Sequence, residues 1–175
     1  GTSSCTALEI GCGVGRLLKS ASSRFAKVIG FDVSRLAVDK ARQLLGPNPS
    51  IELVVGSGVS LDPVESSSVD FVWSFGALAS MPVPVIASYL AEIKRVLRAS
   101  GSARLQVYLG QELLVHESDT LHLRSFTREN FAKAVALAGL KVTRCDEQTI
   151  ADDGTADLGI VNCLISIAQT DELAS

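Results

Sequence analysis

An apolar run near the start of the chain leads into Glu9-x-Gly11-x-Gly13-x-Gly15. Glycine at every second position between a strand and a helix has two uses. It lets the backbone turn through positive φ, and it lets another group come close to the main chain where a Cβ would block it. The helix that follows offers unpaired amides and a partial positive charge at the same place. Such a turn is a cradle at the C-terminal end of a strand. Nicotinamide and flavin proteins use a related G-x-G-x-x-G turn, but its third glycine would fall at position 16, which is Arg16. The spacing argues against a dinucleotide.

The rest of the chain places that turn in an alternating α/β pattern. Residues 5–10 (CTALEI) read as a buried strand, followed by a helix through about Ser22, and 27–31 (KVIGF) as a second strand. Ser34 reads as the N-cap of a helix with Leu36, Ala37, Ala41, Leu44 and Leu45 on its apolar stripe, and Gly46-Pro47-Asn48-Pro49 stops it. Strands are expected at 51–55 and 69–73. Pro82 and Pro84 open a helix to about Arg98 with Ile86, Tyr89, Leu90, Ile93, Val96 and Leu97 spaced by three and four, closed by Gly101. A fifth strand follows at 103–109. Beyond it, Thr127 caps a helix carrying Phe131, Val135 and Ala138, ended by Gly139. Residues 140–144 and 159–168 then read as two strands with no helix between them, hence antiparallel neighbours. The expected fold is α/β, a Rossmann-like doubly wound sheet of seven strands. It is mostly parallel, with a C-terminal antiparallel hairpin and helices on both faces.

Composition narrows the function. The 175 residues are 47% apolar and 20% charged, enough to bury one full core, so a single domain over 1–175 is expected. Sixteen basic against nineteen acidic residues, a net charge of −3, argue against a nucleic-acid partner. No apolar run approaches the ~20 residues of a membrane span. Cys5, Cys12, Cys145 and Cys163 form no C-x-x-C pair, so reduced thiols in a cytoplasmic setting are expected, with Cys145 and Cys163 as core filler in strands. Trp73 is expected to pack in the sheet.

Asp32, ending the second strand, admits two readings. Its carboxylate can accept both hydroxyl hydrogens of a ribose lying across the strand tips, or it can serve as an ordinary acid ahead of the Ser34 helix. His116, Glu117, Asp119 and His122 share a polar stretch without distinctive ligand spacing, so no metal site is expected.

Five segments in order carry a family resemblance: ALEIGCGVGR, IGFDVSRLAVDKAR, SSSVDFVWSFGALASMP, YLAEIKRVLRASG and RSFTRENFAKAVALAGLKV. Together, over about 6–168, the chain resembles the class I S-adenosylmethionine-dependent methyltransferases of the small-molecule type. The resemblance implies S-adenosyl-L-methionine as cofactor and methyl transfer to a small-molecule acceptor by in-line displacement. It implies Glu9, Gly11, Cys12 and Gly13 around the methionine end, Gly15 among the other cofactor-binding residues, and Asp32 on the ribose. Val33 would border the adenine, with Ser57, Gly58 and Val59 covering it from the other side. Ser74, Phe75 and Gly76 would lie beside the sulfonium and the acceptor.

The chain departs from the family in three places. Ser57 stands where an acid is usual, and a neutral acceptor makes a weaker bond. The stretch Leu78-Ala79-Ser80-Met81-Pro82 lacks the family's L-x-H-x-P histidine. The sequence opens only a few residues ahead of the expected first strand, so the helices that cover the cofactor in relatives are not expected within it. A sulfonium methyl is already activated, so the protein mainly aligns the nucleophile and excludes water; an alcohol or phenol acceptor benefits from a base, for which the candidates are His116, His122 and Tyr108. The alternative function is a cofactor-binding domain without catalysis, or a fragment of a larger enzyme. A DNA-modifying reading is disfavoured because Ser74-Phe75-Gly76-Ala77 replaces the N/D-P-P-Y/F tetrapeptide.

Overall fold

The computed structural model describes residues 2–111, 124–148 and 161–170. Its strands are β1 (Thr6–Ile10), β2 (Lys27–Asp32), β3 (Ile51–Val55), β4 (Val69–Ser74), β5 (Leu97–Leu109), β6 (Ser125–Phe126), β7 (Leu140–Gln148) and β8 (Val161–Gln169), and its helices are α1 (Arg16–Ala21), α2 (Arg35–Leu45), α3 (Val83–Val96) and α4 (Arg128–Leu137). The sheet runs β3-β2-β1-β4-β5-β8-β7, parallel as far as β5 and antiparallel across β8 and β7. This is the expected mostly parallel sheet with a reversed hairpin. To the seven strands it adds an eighth: β6 pairs with the tip of β5 through Tyr108–Ser125 and Leu109–Phe126. Two residues are too few to leave a periodic signal.

Alternation along the strands divides the core. Leu8 and Ile10 of β1, Ile29 and Phe31 of β2 and Leu105 and Val107 of β5 pack with Ile86, Leu90 and Ile93 of α3 and Phe131 and Val135 of α4. On the opposite face, Val28 packs with Leu18 of α1, Leu45 of α2 and Trp73 of β4. Helices thus cover both faces, as parallel strands require. Gly30 permits the close approach of α1, since a Cβ there would stand 2.4 Å from Leu18 Cδ1. Among the described residues no helix is long and apolar enough to cross a membrane.

Three expectations are corrected. The buried face of α2 is Val38 and Ala41, with Leu45 half-buried, while Leu36 and Leu44 are 82% and 60% exposed. The helix α3 stops at Val96, not near Arg98. Leu97 turns to extended backbone and starts β5 by pairing with Val69, with a register shift before Phe71. Gly101 is therefore no helix stop. It is the point where β5 runs close to its surroundings, a Cβ meeting Leu97 Cδ2 at 2.9 Å and the Asp70 carbonyl at 3.1 Å. Cys163 is buried, but Cys145 is exposed on the edge strand β7, where Arg128 Nη1 donates to its sulfur at 3.8 Å. None of the four cysteines is in a disulfide.

Candidate functional site

The site forms at the C-terminal ends of the central parallel strands, where sheets of this kind bind ligands. A cavity of about 590 Å³ is lined by Glu9, Gly11, Cys12, Gly13, Val14, Arg16, Leu17 and Phe75. The glycine turn that floors it is tied down by its own backbone. Gly11 and Cys12 donate their N–H groups to the Phe31 carbonyl at 2.8 and 3.1 Å, and Gly15 donates to the Cys12 carbonyl at 2.9 Å. Gly11 and Gly13 have φ of 76° and 53°. The two glycines are required for different reasons. A Cβ at Gly11 would stand 2.2 Å from Ala77 Cβ, so that glycine serves the protein's own packing; a Cβ at Gly13 would meet nothing within 4 Å, so that backbone faces open space.

Asp32 joins this turn to β2. Its Oδ2 accepts the Gly13 N–H and its Oδ1 accepts the Ser34 N–H, each at 2.8 Å. Both readings of this acid from sequence are therefore compatible. It prepares the chain for α2, and each oxygen keeps a lone pair for an outside donor.

Glu9 is the unusual group. It points to the α1/α2 face, level with Gly30 and Trp73 on the neighbouring strands, and is only 2% exposed. Its Oε2 has no hydrogen-bond partner. Burial pushes its carboxyl up from 4.5 to about 7; the Trp73 side chain, as a hydrogen-bond donor, opposes this, the Asp32 charge adds to it and the Arg16 charge opposes it. A buried acid with a vacant oxygen beside a cavity is suited to receive a cationic donor. Cys12 lines the same wall, but burial, with the charges of Asp32 and Glu9, pushes its thiol up to about 12, so it acts there as an apolar surface.

The remaining expected residues fall into two groups. Val33 and Val59 are 55% and 56% exposed beyond Asp32, and Gly58 lies against Val33, whose Cγ1 would be 3.3 Å from a Cβ there. Phe75, 55% exposed, forms part of the cavity wall, and the Gly76 N–H is held by Gln106 Oε1 at 2.7 Å. Ser57, Ser74, Gly15 and Tyr108 stand apart from the cavity lining. The Ser57 hydroxyl caps its own turn, accepting from the N–H of Val59 and Ser60 at 3.4 and 3.3 Å. Ser74 is buried and donates to the Ile10 carbonyl at 2.9 Å, tying β4 to β1. Gly15 faces α2, where a Cβ would meet Leu45 Cδ1 at 2.8 Å. Tyr108 is half-buried near the end of β5. His116 and His122, with Glu117 and Asp119, lie outside the described residues. Among the described residues no cluster could hold a metal ion.

Sequence reading missed Val14, Arg16 and Leu17 as lining, although the start of α1 right after a cradle was a signal for them. It also missed Gln106 and Asn162, two polar residues buried to 5% and 4% exposure in β5 and β8. The lone glutamine within ARLQVYL was the available clue.

Comparison with known proteins gives a family and a fold. Residues 8–105 match the sequence model of a family described as a methyltransferase domain. An uncharacterised 37.1 kDa protein in transposon TN4556 of Streptomyces fradiae is 32% identical over 133 residues, 74% of this chain and 38% of that protein. The chain thus spans little more than a third of the length of that relative. Among solved structures, a geranyl diphosphate C-methyltransferase from Streptomyces coelicolor, determined with S-adenosyl-L-homocysteine, superposes with a TM-score of 0.81 at 14% identity, covering 97% of this chain and 72% of that one. An arsenic(III) S-adenosylmethionine methyltransferase from Chlamydomonas reinhardtii superposes with a TM-score of 0.74 at 20% identity, covering 97% and 65%. At these identities the superpositions speak for a shared fold, and the sequence match over more than half the chain speaks for descent. The chain belongs to the methyltransferase domain family.

Proposed function

We propose that this chain binds S-adenosyl-L-methionine in the cavity at the strand ends and catalyses methyl transfer to a small-molecule acceptor, working as a single domain. The observation that carries the reading is the buried Glu9 carboxyl, whose Oε2 lacks a partner beside a glycine turn braced by Asp32. When bound, the cofactor supplies a methyl group already activated on a sulfonium.

The chain's own residues then have separate tasks. Glu9 faces the cationic methionine end and is drawn into its charged form by it. Asp32 keeps the glycine turn in place and offers its free lone pairs to the ribose hydroxyls. Val33, Gly58 and Val59 supply an apolar border for the adenine, with the Ser57 hydroxyl as a neutral acceptor at its edge. Phe75 and Gly76 border the region where the acceptor approaches, and Phe75, Val14 and Leu17 keep water away from it. Gly11, Cys12 and Gly13 supply backbone close enough to line the ligand.

Support for a small-molecule acceptor comes from the net charge of −3 and from a cavity whose lining, among the described residues, has Arg16 as its one basic residue, beside glycines and apolar side chains. The neighbours that act on geranyl diphosphate and on arsenic(III) lend it analogy. The four unpaired cysteines favour a reducing, cytoplasmic setting. A second reading, cofactor binding without catalysis, is favoured by one observation. Ser80 stands where the family's L-x-H-x-P histidine would be, which takes away that base.

Titration calorimetry with S-adenosylhomocysteine, followed by methyl-release assays over amines, thiols, phenols and carbon acids, separates these readings. Binding with turnover on one class supports the enzyme. Binding with no turnover on any class supports the second reading, and absence of binding removes both.

A further inference from the structure

Strand β5 presents Leu105, Val107 and Leu109 to the α3/α4 core and turns Gln106 to the other face, where it is 5% exposed. A buried amide is costly unless both its ends are hydrogen-bonded. Gln106 meets that condition by bridging two elements. Its Oε1 accepts the Gly76 N–H at 2.7 Å, and its Nε2 donates to Asn162 Oδ1 at 3.1 Å. The donor at Gly76 fixes which end of the amide faces the loop, and that in turn fixes the orientation of Asn162. Asn162 is 4% exposed and sits in β8 opposite Tyr108, diagonal to Gln106 across the antiparallel pair.

The loop held in this way belongs to the candidate site. Gly76 has φ 78°, and the residue before it, Phe75, forms cavity wall opposite the glycine turn. The residue after it, Ala77, packs so tightly on Gly11 that no Cβ fits between them. The direction of the Phe75–Gly76 peptide therefore sets where the Phe75 ring stands and how closely the two loops meet. We propose that Gln106, anchored by Asn162, is a positioning residue that holds the Phe75–Gly76 peptide against the cofactor cavity. It touches no ligand; it acts through the loop. The proposal rests on the reading of that cavity as an S-adenosyl-L-methionine site.

The test uses the full chain and two measurements. Hydrogen exchange of the peptide spanning 75–77 reports the loop without ligand. Titration with S-adenosylhomocysteine reports the cavity through the fluorescence of Trp73, the chain's single tryptophan, which lies level with Glu9. Gln106→Met keeps volume and removes the acceptor. It is expected to speed exchange of the loop and to weaken S-adenosylhomocysteine about tenfold, the loss of one well-made hydrogen bond. Gln106→Glu keeps an acceptor for Gly76 in either protonation state, and Asn162 can turn its amide to donate Nδ2 to the new carboxyl. The anchor is thus kept, and both readouts should return to within about threefold of the parent, less than the loss of a full bond. Val135→Ala, in the α4 core, lowers stability without reaching the loop and should leave both readouts unchanged. If Gln106→Met does not fold, Asn162→Ala takes its place, because it leaves the Gly76 acceptor present but unanchored.

The proposal is overturned if Gln106→Met leaves loop exchange and affinity at the parental level. It is equally overturned if Val135→Ala weakens binding as much as Gln106→Met does, or if Gln106→Glu fails to rescue. Should the parent chain itself not bind S-adenosylhomocysteine, the cofactor reading fails, and the exchange measurement alone still decides whether Gln106 holds the loop.

Discussion

At the scale of single residues, the site is built around two acids with opposite circumstances. Asp32 is satisfied by two backbone N–H groups, while Glu9 is buried with one oxygen unpartnered. The raised carboxyl of Glu9 has a definite effect on stability. Below pH 4.5 it is protonated in both folded and unfolded chains, and its titration adds nothing to the cost of burial. Between 4.5 and about 7 the unfolded chain releases the proton first, so stability falls as pH rises. Above about 7 the loss is complete, at about 3 kcal/mol for a shift of this size. Glu9→Gln is expected to remove this dependence, making the ligand-free protein more stable than the parent at pH 8 and little different at pH 4. Urea unfolding at the two pH values measures it. The same substitution should weaken S-adenosylhomocysteine, so stability and binding move in opposite directions. Asp32→Ala removes the acceptor of Gly13 and Ser34 together with the proposed ribose contact. It should weaken S-adenosylhomocysteine by about 1.5–3 kcal/mol, the range for a hydrogen bond to a charged group, as read by calorimetry.

At the scale of elements, helix N-caps were legible, and helix faces and stops less so. Ser34 caps α2 as its sequence position indicates, accepting the Ala37 N–H at 3.2 Å, and Thr127 caps α4 by accepting the Asn130 N–H at 3.1 Å. Caps are local, decided by one side chain and the backbone three residues on. Ser34→Ala should therefore cost about 1 kcal/mol of stability, measured as a shift in the denaturant midpoint with unchanged slope. The buried face of α2 was misread because leucines occur on both sides of the helix. The sheet beneath selects Val38 and Ala41 and leaves Leu36 and Leu44 outside. The end of α3 was misread for a related reason. Gly101 has the chemistry of a helix stop, but it is needed where β5 passes Leu97 and the Asp70 carbonyl, contacts that exist only in the folded chain. A cysteine in a strand usually fills the core, but the strand of Cys145 is the sheet edge, which leaves its thiol exposed.

At the scale of the whole molecule, a ligand that binds only the folded chain raises its stability by mass action. S-adenosylhomocysteine at one hundred times its dissociation constant should add about 2.7 kcal/mol, which for a chain of this length shifts the melting temperature by about 5–10 °C. A nicotinamide dinucleotide at the same concentration should leave it unchanged, because Arg16 occupies the third glycine position of the dinucleotide turn. A thermal melt with each compound checks both expectations.

The sequence by itself determined the order of strands and helices, the reversed hairpin and the glycine cradle after the first strand. Each of these follows from neighbours along the chain: apolar runs of strand length, a capping hydroxyl, glycines where φ turns positive. Tertiary structure alone decided that Glu9 keeps a vacant oxygen at the cavity. It also decided that Ser74 binds the Ile10 carbonyl and that Gln106 and Asn162, 56 positions apart, together hold the Gly76 loop. Those properties depend on which distant residues the sheet brings within hydrogen-bonding range. A side chain's burial and partners are set by that assembly and not by its neighbours in sequence.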